Sequence, residues 1–394
     1  MRAAPAEVQL IDTATVEAFL DDRHVQLAER AGTFARDRVA SLPTPTDDDE
    51  AREQAREVLE ILGREGWFAP IEAEDLRAIC LVREALAAAS PLADAVYALQ
   101  ALGTTPILLA GNTAQSERWV PPAIAGRAMA AFAMTEPEAG SDVAAIATTA
   151  RRDRGGWVLE GAKSFISNAG IADFYTLFAT TDPGLGARGI ACFVVPAGVK
   201  GLEFAGPQVL SAPHPLGEIR FAGCRVGDDA LLAGPYDGYK LGLATLDRLR
   251  ATVAAAACGM AARALDEALD HARARRQFGK PLAEFQLVQE KLARMATELA
   301  AARLLTYRAA WAKDRGAERV TLESAMAKSF ATEAAQRIVD EAVQILGGRG
   351  VLADHPVNRL YRAVRALRIY EGTTEIQRLV VARQLLERAT PAAS

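Results

Sequence analysis

Glu371 stands in the string Tyr370-Glu-Gly-Thr-Thr-Glu-Ile-Gln377, where Thr374-x-x-Gln377 fits a capping box that opens a helix. The carboxylate therefore falls in a loop just ahead of a helix N-terminus. Such a group is a candidate base, and taken alone also an ordinary solvated acid. In Lys163-Ser-Phe-Ile-Ser-Asn168, strand alternation puts Phe165 and Ser167 on one face and Ile166 on the other. An aromatic ring beside a hydroxyl suits a flat heterocycle: the ring packs on it and the hydroxyl donates to one of its nitrogens. Phe132-Ala-Met-Thr-Glu-Pro-Glu-Ala-Gly-Ser-Asp142 is a loop leading into a β region, with Ser141 or Asp142 as a cap. Arg273-Ala-Arg-Arg-Gln-Phe-Gly279 fills a helix end with arginines, where the dipole favours them. Gln344-Ile-Leu-Gly-Gly-Arg-Gly350, followed by Asp354, has the glycines of a helix stop.

Other chemistries lack their residues. No Gly-x-Gly-x-x-Gly follows a strand, no phosphate-binding loop occurs, and no His-Glu-x-x-His or paired-cysteine motif suggests a metal. His24, His214, His271 and His355 are far apart in sequence, and His271 reads as a surface residue near a helix end. The net charge of −5 gives no basic footprint for nucleic acid. Cys80, Cys192, Cys224 and Cys258 are scattered and read as small buried hydrophobes in a reducing compartment. Asp12, Glu17, Asp21 and Asp22 interrupt any early apolar stretch, so no secretory signal is expected. The longest apolar run, 253–262, is short of the ~20 residues of a membrane span. A cytoplasmic protein without a span is expected.

The elements that must position these residues fall into three stretches. The first reads helical, with helices over 47–63 and 75–89, Thr46 or Asp47 capping the former, and Arg83 breaking the apolar face of the latter. Near Met134 short β-type runs begin, at 156–160, 163–167, 174–180, 189–195 and 218–226. From Gly238 the pattern is helical again, in four long pieces: 238–277, 284–315, 322–346 and one after Gly372. The fold expected is α+β, mainly α: an N-terminal helical domain (1–130), a small β-barrel or sheet domain (131–233) and a C-terminal four-helix bundle (234–394).

Together the motifs resemble those of the FAD-dependent acyl-CoA dehydrogenase family, over about residues 67–386. Phe132–Asp142 resembles its first signature and Gln344–Gly350 its second, and Tyr370-Glu-Gly-Thr resembles its catalytic turn. The resemblance implies that Glu371 removes the α-proton of an acyl-CoA, with Arg250, Ser141, Tyr370 and Gly372 around the substrate. It implies FAD contacts from Phe132, the backbone of Met134 and Thr135, and Ser141. Phe165 would lie against the isoalloxazine and Ser167 would bond its N5. Arg275, Gln277, Phe278, Gln344 and Gly348 would reach a neighbouring subunit's FAD, and Thr373 and Glu375 would also contact FAD. A homotetramer with shared FAD sites is implied, passing electrons to an electron-transfer flavoprotein. Some members carry the base on the first helix of the bundle; that position falls here on Leu249, and the nearby acid is Asp247.

Three segments depart from the family pattern. Trp67-Phe-Ala-Pro-Ile-Glu-Ala-Glu-Asp75 replaces a stretch ending in Gly-Gly, Ser211-Ala-Pro-His-Pro-Leu-Gly217 replaces a longer basic one, and Ala363 stands where an Asp is usual. Chain length, ring character and carrier of the acyl group stay open. So do an oxidase or flavin monooxygenase on the same fold, and a non-catalytic scaffold.

Overall fold

Every residue of Phe174–Thr180 is buried, the pattern of a strand covered on both faces. The computed structural model, which describes residues 13–389, places it inside an eight-stranded sheet. The strands are β1 (Ala130–Ala133), β2 (Thr149–Asp153), β3 (Gly156–Ser167), β4 (Phe174–Thr180), β5 (Ile190–Pro196), β6 (Leu202–Pro207), β7 (Leu216–Gly227) and β8 (Leu231–Ala233). Their order is β6-β7-β3-β2-β4-β5-β8, and β1 runs parallel beside β4. Alternation shares β4 and β5 between two cores. Phe174, Phe178, Cys192 and Val194 join Ile107 and Val120 in one; Tyr175, Leu177, Phe193 and Val195 join Ile219 and Phe221 in the other.

The runs at 156–160 and 163–167 are one strand, β3. Gly161, at φ +139°, lies at its register shift against β7. Strands β1, β2, β6 and β8 were not anticipated. Two of them have only four and three residues, too few to show a period of two.

The helices are α1 (Asp22–Phe34), α2 (Asp48–Arg64), α3 (Ala69–Glu72), α4 (Leu76–Ala89), α5 (Pro91–Ala110), α6 (Thr113–Ile124), α7 (Asp237–Ala274), α8 (Gln286–Asp314), α9 (Thr321–Leu346), α10 (Pro356–Leu367) and α11 (Thr374–Ala389). The chain forms two compact units. The sheet unit is Thr44–Asp75 with Ala95–Leu249; the helical unit is, within the described residues, 13–43, Leu76–Asp94 and 250–389. The acid Asp12, read as part of the N-terminal pattern, lies outside the described residues.

In the sheet unit Asp47 caps α2, its Oδ1 accepting from the Glu50 N–H at 2.9 Å. Helix α5 is long and apolar enough to cross a membrane, but 78% of that window is buried inside the protein. Its buried Gln100 donates to the Ala123 and Ala128 carbonyls (2.9 and 2.7 Å) and accepts from the Ala130 N–H (3.0 Å). A buried amide satisfied in this way belongs to a protein core. Polar residues such as Gln100 and Thr104 interrupt the apolar run, which hid α5 from a search for continuous stretches.

The helical unit has a core rich in alanine, from Ala251 to Ala272 on α7 and Ala327 to Ala342 on α9. Small side chains let helices approach closely. A Cβ on Gly259 of α7 would stand 2.1 Å from the Glu84 carbonyl oxygen of α4. Buried Glu84 is satisfied by two charge-assisted bonds, from Arg303 Nε and the Tyr307 hydroxyl, each at 2.7 Å. Helix α7 ends at Ala274, before Arg275 and Arg276, which lie in an exposed loop and two-residue strand instead of a last turn. Helix α10 adds a fifth long piece to the four expected. His355 caps it, Nδ1 accepting from the Val357 N–H at 3.2 Å, and Val357, Leu360, Val364 and Leu367 bury its apolar stripe.

Candidate active site

The turn between α10 and α11 carries Glu371 in the left-handed region, at φ +53°, followed by Gly372 at +90°. A side chain in that region costs about 1–2 kcal/mol, so surrounding contacts must hold it there. They come from two buried side chains. Lys328 of α9 is fully buried, and its Nζ donates to the Tyr370 carbonyl (2.8 Å) and the Gly372 carbonyl (2.5 Å). Gln377 of α11 donates from Nε2 to the Glu371 carbonyl (3.2 Å) and the Gly372 carbonyl (2.9 Å). A Cβ at residue 372 would lie 2.5 Å from that Nε2, a second reason for glycine there.

The expected capping box is corrected by this geometry. The cap comes from Thr373, whose Oγ1 accepts from the Ile376 N–H at 3.3 Å. Thr374 instead donates to Glu333 Oε1 at 2.9 Å, which also accepts from Arg368 Nε at 2.9 Å. Gln377 braces the turn from inside. Glu375 is exposed, and its carboxyl is held below its usual range by backbone and Thr373 hydrogen bonds at the helix start.

The Glu371 carboxylate is left with a buried Oε2 that has no hydrogen-bond partner. Its backbone N–H is also without a partner among the described residues. Burial raises its pKa above the ordinary carboxylate value, against the pull of Arg83, Lys328 and Arg250, with Asp94 adding to the rise. Arg83 is itself largely neutralised: Nε and the second terminal nitrogen meet the two Asp94 oxygens at 2.8 and 2.9 Å, and the remaining nitrogen donates to Thr252 Oγ1 at 2.7 Å. Burial likewise lowers Lys328 to about 8, partly offset by Glu371. Arg250, buried on α7, bears on both groups. Tyr370 has its hydroxyl beside Arg83, and burial pushes its pKa up. Thus Glu371, Tyr370, Gly372 and Arg250 come together. Arg83, Asp94, Lys328 and the bracing role of Gln377 were missed. The available signal was a charge on an otherwise apolar helix face, as at Arg83 of α4 and Lys328 of α9. Leu249 is buried and offers no base.

A second cluster lies in the sheet unit. Lys163 of β3 is fully buried, and its Nζ donates to the Met134 carbonyl (2.9 Å) and to Glu136 Oε1 (2.7 Å). Burial lowers Lys163 to about 8, against the pull of Glu136. Burial also works against Glu136, but Lys163 and the N–H groups of Ala147 and Thr148 (2.6 and 2.9 Å) outweigh it and lower its pKa. The segment is further tied by the Ser164 N–H to the Thr135 carbonyl (2.9 Å). The Thr135 N–H has no partner among the described residues. Phe132 packs on Phe178, ring centroids 5.0 Å apart.

At the end of β3, Phe165 is 58% exposed with φ +56°, its N–H donating to Gln208 Oε1 at 2.6 Å. Ile166 is buried on the opposite face. Ser167 Oγ lies 2.7 Å from His214 Nε2. Ser141 is exposed in the turn after Gly140, and Asp142 makes no capping bond. A free amide donor at Thr135, with an outstanding aromatic ring and a hydroxyl on the β3 end tied to it, are what a flat, polar-edged ring system requires, so FAD fits this cluster.

The remaining candidates are on the surface of the helical unit. Arg275, Gln277 and Phe278 form an exposed hairpin, with Phe278 93% exposed at φ +48°. Gln344 and Gly348 are exposed at the end of α9. Among the described residues, none of these five carries a hydrogen bond to the Glu371 turn. His271 is half-buried, and burial first, then Arg349 and Arg275, lower its pKa. It stands in the last turn of α7, the helix end where the sequence reading placed it.

Comparisons with known proteins agree with this chemistry. Residues 21–127, 131–224 and 236–386 match the N-terminal, middle and C-terminal domains of acyl-CoA dehydrogenase. The chain is 38% identical over 379 residues to a 3-(aryl)acrylate reductase of Clostridium sporogenes, covering 94% of this chain and 100% of that one. It resembles the butyryl-CoA dehydrogenase structure from Megasphaera elsdenii with TM-score 0.87 and 32% identity, over 93% of this chain and 99% of that one. A structure described with the electron transferring flavoprotein of Acidaminococcus fermentans gives TM-score 0.86 and 32% identity, over 93% and 98%. The chain belongs to the acyl-CoA dehydrogenase family and is an oxidoreductase whose cofactor is FAD.

Proposed function

We propose that the chain carries out α,β-dehydrogenation of an acyl-CoA thioester, with Glu371 as the base that takes the α-proton. The observation that carries this reading is the buried Glu371 oxygen with no partner, on a carboxyl whose pKa burial raises. An α-proton is weakly acidic, and a carboxylate deprived of water is a stronger base than a solvated one. The free Glu371 N–H is a fixed donor for the thioester oxygen as charge develops there. Arg250, Tyr370 and Gly372 surround the same carboxyl and are assigned to the substrate, with Ser141. Bound FAD would supply the hydride acceptor at its N5.

Phe132, Met134, Thr135, Phe165 and Ser167 would hold the flavin. Ser141, Arg275, Gln277, Phe278, Gln344, Gly348, Thr373 and Glu375 are assigned to the rest of FAD, several of them across a subunit boundary in a homotetramer. The exposure of Phe278 suits a residue that acts outside its own chain. The three-part division at 130/131 and 233/234, an electron-transfer flavoprotein as electron acceptor, and a cytoplasmic site of action belong to the same reading. The reverse reaction is a second reading, supported by the name of the reductase relative. A raised pKa keeps a proton on Glu371 at a pH where an ordinary carboxylate has lost it, ready to return to Cα.

The test is anaerobic titration of the purified, flavin-loaded protein with a panel of acyl-CoAs, read by loss of flavin absorbance. Bleaching by one thioester is expected and names the substrate class. Glu371→Gln should stay yellow and lose α-proton exchange by about 10²–10⁴-fold. Exchange at the wild-type rate would refute the assignment of the base.

A further inference from the structure

The segment 208–216, which overlaps the departing stretch Ser211–Gly217, closes over the end of β3. Gln208 accepts from the Phe165 N–H at 2.6 Å and donates to Ser164 Oγ at 2.8 Å. The Pro215 carbonyl accepts from the Asn168 N–H at 2.6 Å, and the Leu216 carbonyl from Arg52 at 2.7 Å. His214 is thereby fixed with Nε2 at 2.7 Å from Ser167 Oγ.

A serine hydroxyl has one proton and two lone pairs, so what it offers one neighbour limits what it offers another. We propose that His214 is a positioning residue for the flavin: its unprotonated Nε2 accepts the Ser167 proton, so that Ser167 presents lone pairs to the flavin N5. The proposal rests on the function proposed above, with Ser167 facing N5 as the family resemblance implies. A neutral imidazole is required. Burial, with the Arg52 charge second, lowers His214 to about 4 and keeps the ring neutral at neutral pH, so that one of its two nitrogens accepts, and the proposal assigns that role to Nε2. Oxidised N5 accepts a hydrogen bond, whereas reduced N5 carries a proton and donates one. A hydroxyl held as an acceptor therefore favours the reduced cofactor. Without His214 the hydroxyl turns and donates to oxidised N5, and the balance moves the other way.

Two measurements test this. The first is the midpoint potential of the bound flavin in wild type, His214→Leu, Ser167→Ala and the double variant, each with its visible spectrum. His214→Leu is expected to shift the reduced/oxidised equilibrium about tenfold toward the oxidised form, or ~30 mV for two electrons. The loss should vanish in a Ser167→Ala background, since both changes act through one hydroxyl. An unchanged potential in His214→Leu, or full additivity with Ser167→Ala, overturns the proposal. The second is histidine-selective ¹⁵N NMR of the unaltered protein, which needs no variant to fold. An unprotonated Nε2 on His214 is expected, and a protonated Nε2 overturns the proposal. A wild-type protein that binds no flavin would instead sink the functional reading on which it stands.

Discussion

The turn that carries Glu371 and the loop tied to β3 are built in the same way. In each, a fully buried lysine donates to main-chain carbonyls of a functional loop: Lys328 to Tyr370 and Gly372, Lys163 to Met134. They differ in what neutralises the lysine. Lys163 has a dedicated partner in Glu136, whose oxygens are filled by Lys163 and two N–H groups. Lys328 donates to carbonyls alone, and the nearby carboxylate, Glu371, keeps a bare oxygen. The first arrangement fixes a platform; the second fixes a backbone and leaves its acid unsatisfied. A loop that only binds can spend every hydrogen bond on rigidity, whereas a carboxylate in the proposed role of base must keep one oxygen open for the substrate proton.

The contrast can be broken most forcefully at the platform. Lys163→Met strands Glu136 as a buried unpaired charge, and we expect a loss of about 3–5 kcal/mol in stability with most of the bound flavin. Denaturant melts and the flavin-to-protein absorbance ratio check both. Lys163→Met/Glu136→Leu should recover a good part of the stability, because the uncompensated charge is gone. Lys328→Met is expected to cost about 1–3 kcal/mol, from the Tyr370 carbonyl left without a donor and a weakened Gly372 contact. Flavin content should persist while kcat falls, so equal losses of flavin in the two variants would erase the distinction.

A smaller effect lies in pH. Glu371 has a raised pKa, so the acid limb of kcat/KM for dehydrogenation should sit above the range of an ordinary carboxylate, activity rising with pH as the proton leaves. Removing the positive Lys328 should push that limb higher still, and an acid limb at ordinary carboxylate pH would contradict the burial argument. For stability the sign is reversed: a folded state that holds its proton more tightly loses stability as pH rises from the unfolded value through the raised one. Smallest is Gln377→Leu, which removes a long (3.2 Å) donor to the Glu371 carbonyl and the second donor to Gly372. About 1 kcal/mol in the melt, with a modest fall in kcat, is expected.

Much of this was legible in the sequence, for reasons that differ by element. The motifs around Met134, Phe165 and Glu371 are contiguous, so their residues could be assigned together. Helices α2, α4, α8 and α9 show their period over three or more turns and were placed to within about two residues. The short strands β1 and β8 owe their existence to neighbours in the sheet, and no local pattern announces them. The second row of the active site was invisible because its members are distant in sequence. Arg83, Asp94 and Lys328 look like isolated charges until folding buries them together. The capping error at Thr374 has a similar origin, since Glu333 on another helix claims its hydroxyl. The pairing of Ser167 with His214 joins residues 47 positions apart.

With Glu371 as the proposed base, its left-handed backbone sets selection for folding against selection for chemistry. Glycine at position 371 would relieve the strain and remove a buried carboxyl, and such a chain should melt at a higher temperature than its parent. A library screened for thermostability alone would therefore drift toward inactive turns, and one screened for turnover would hold the costly residue in place. Under the proposed role, the melting temperature forgone at this single position measures what the base costs the fold.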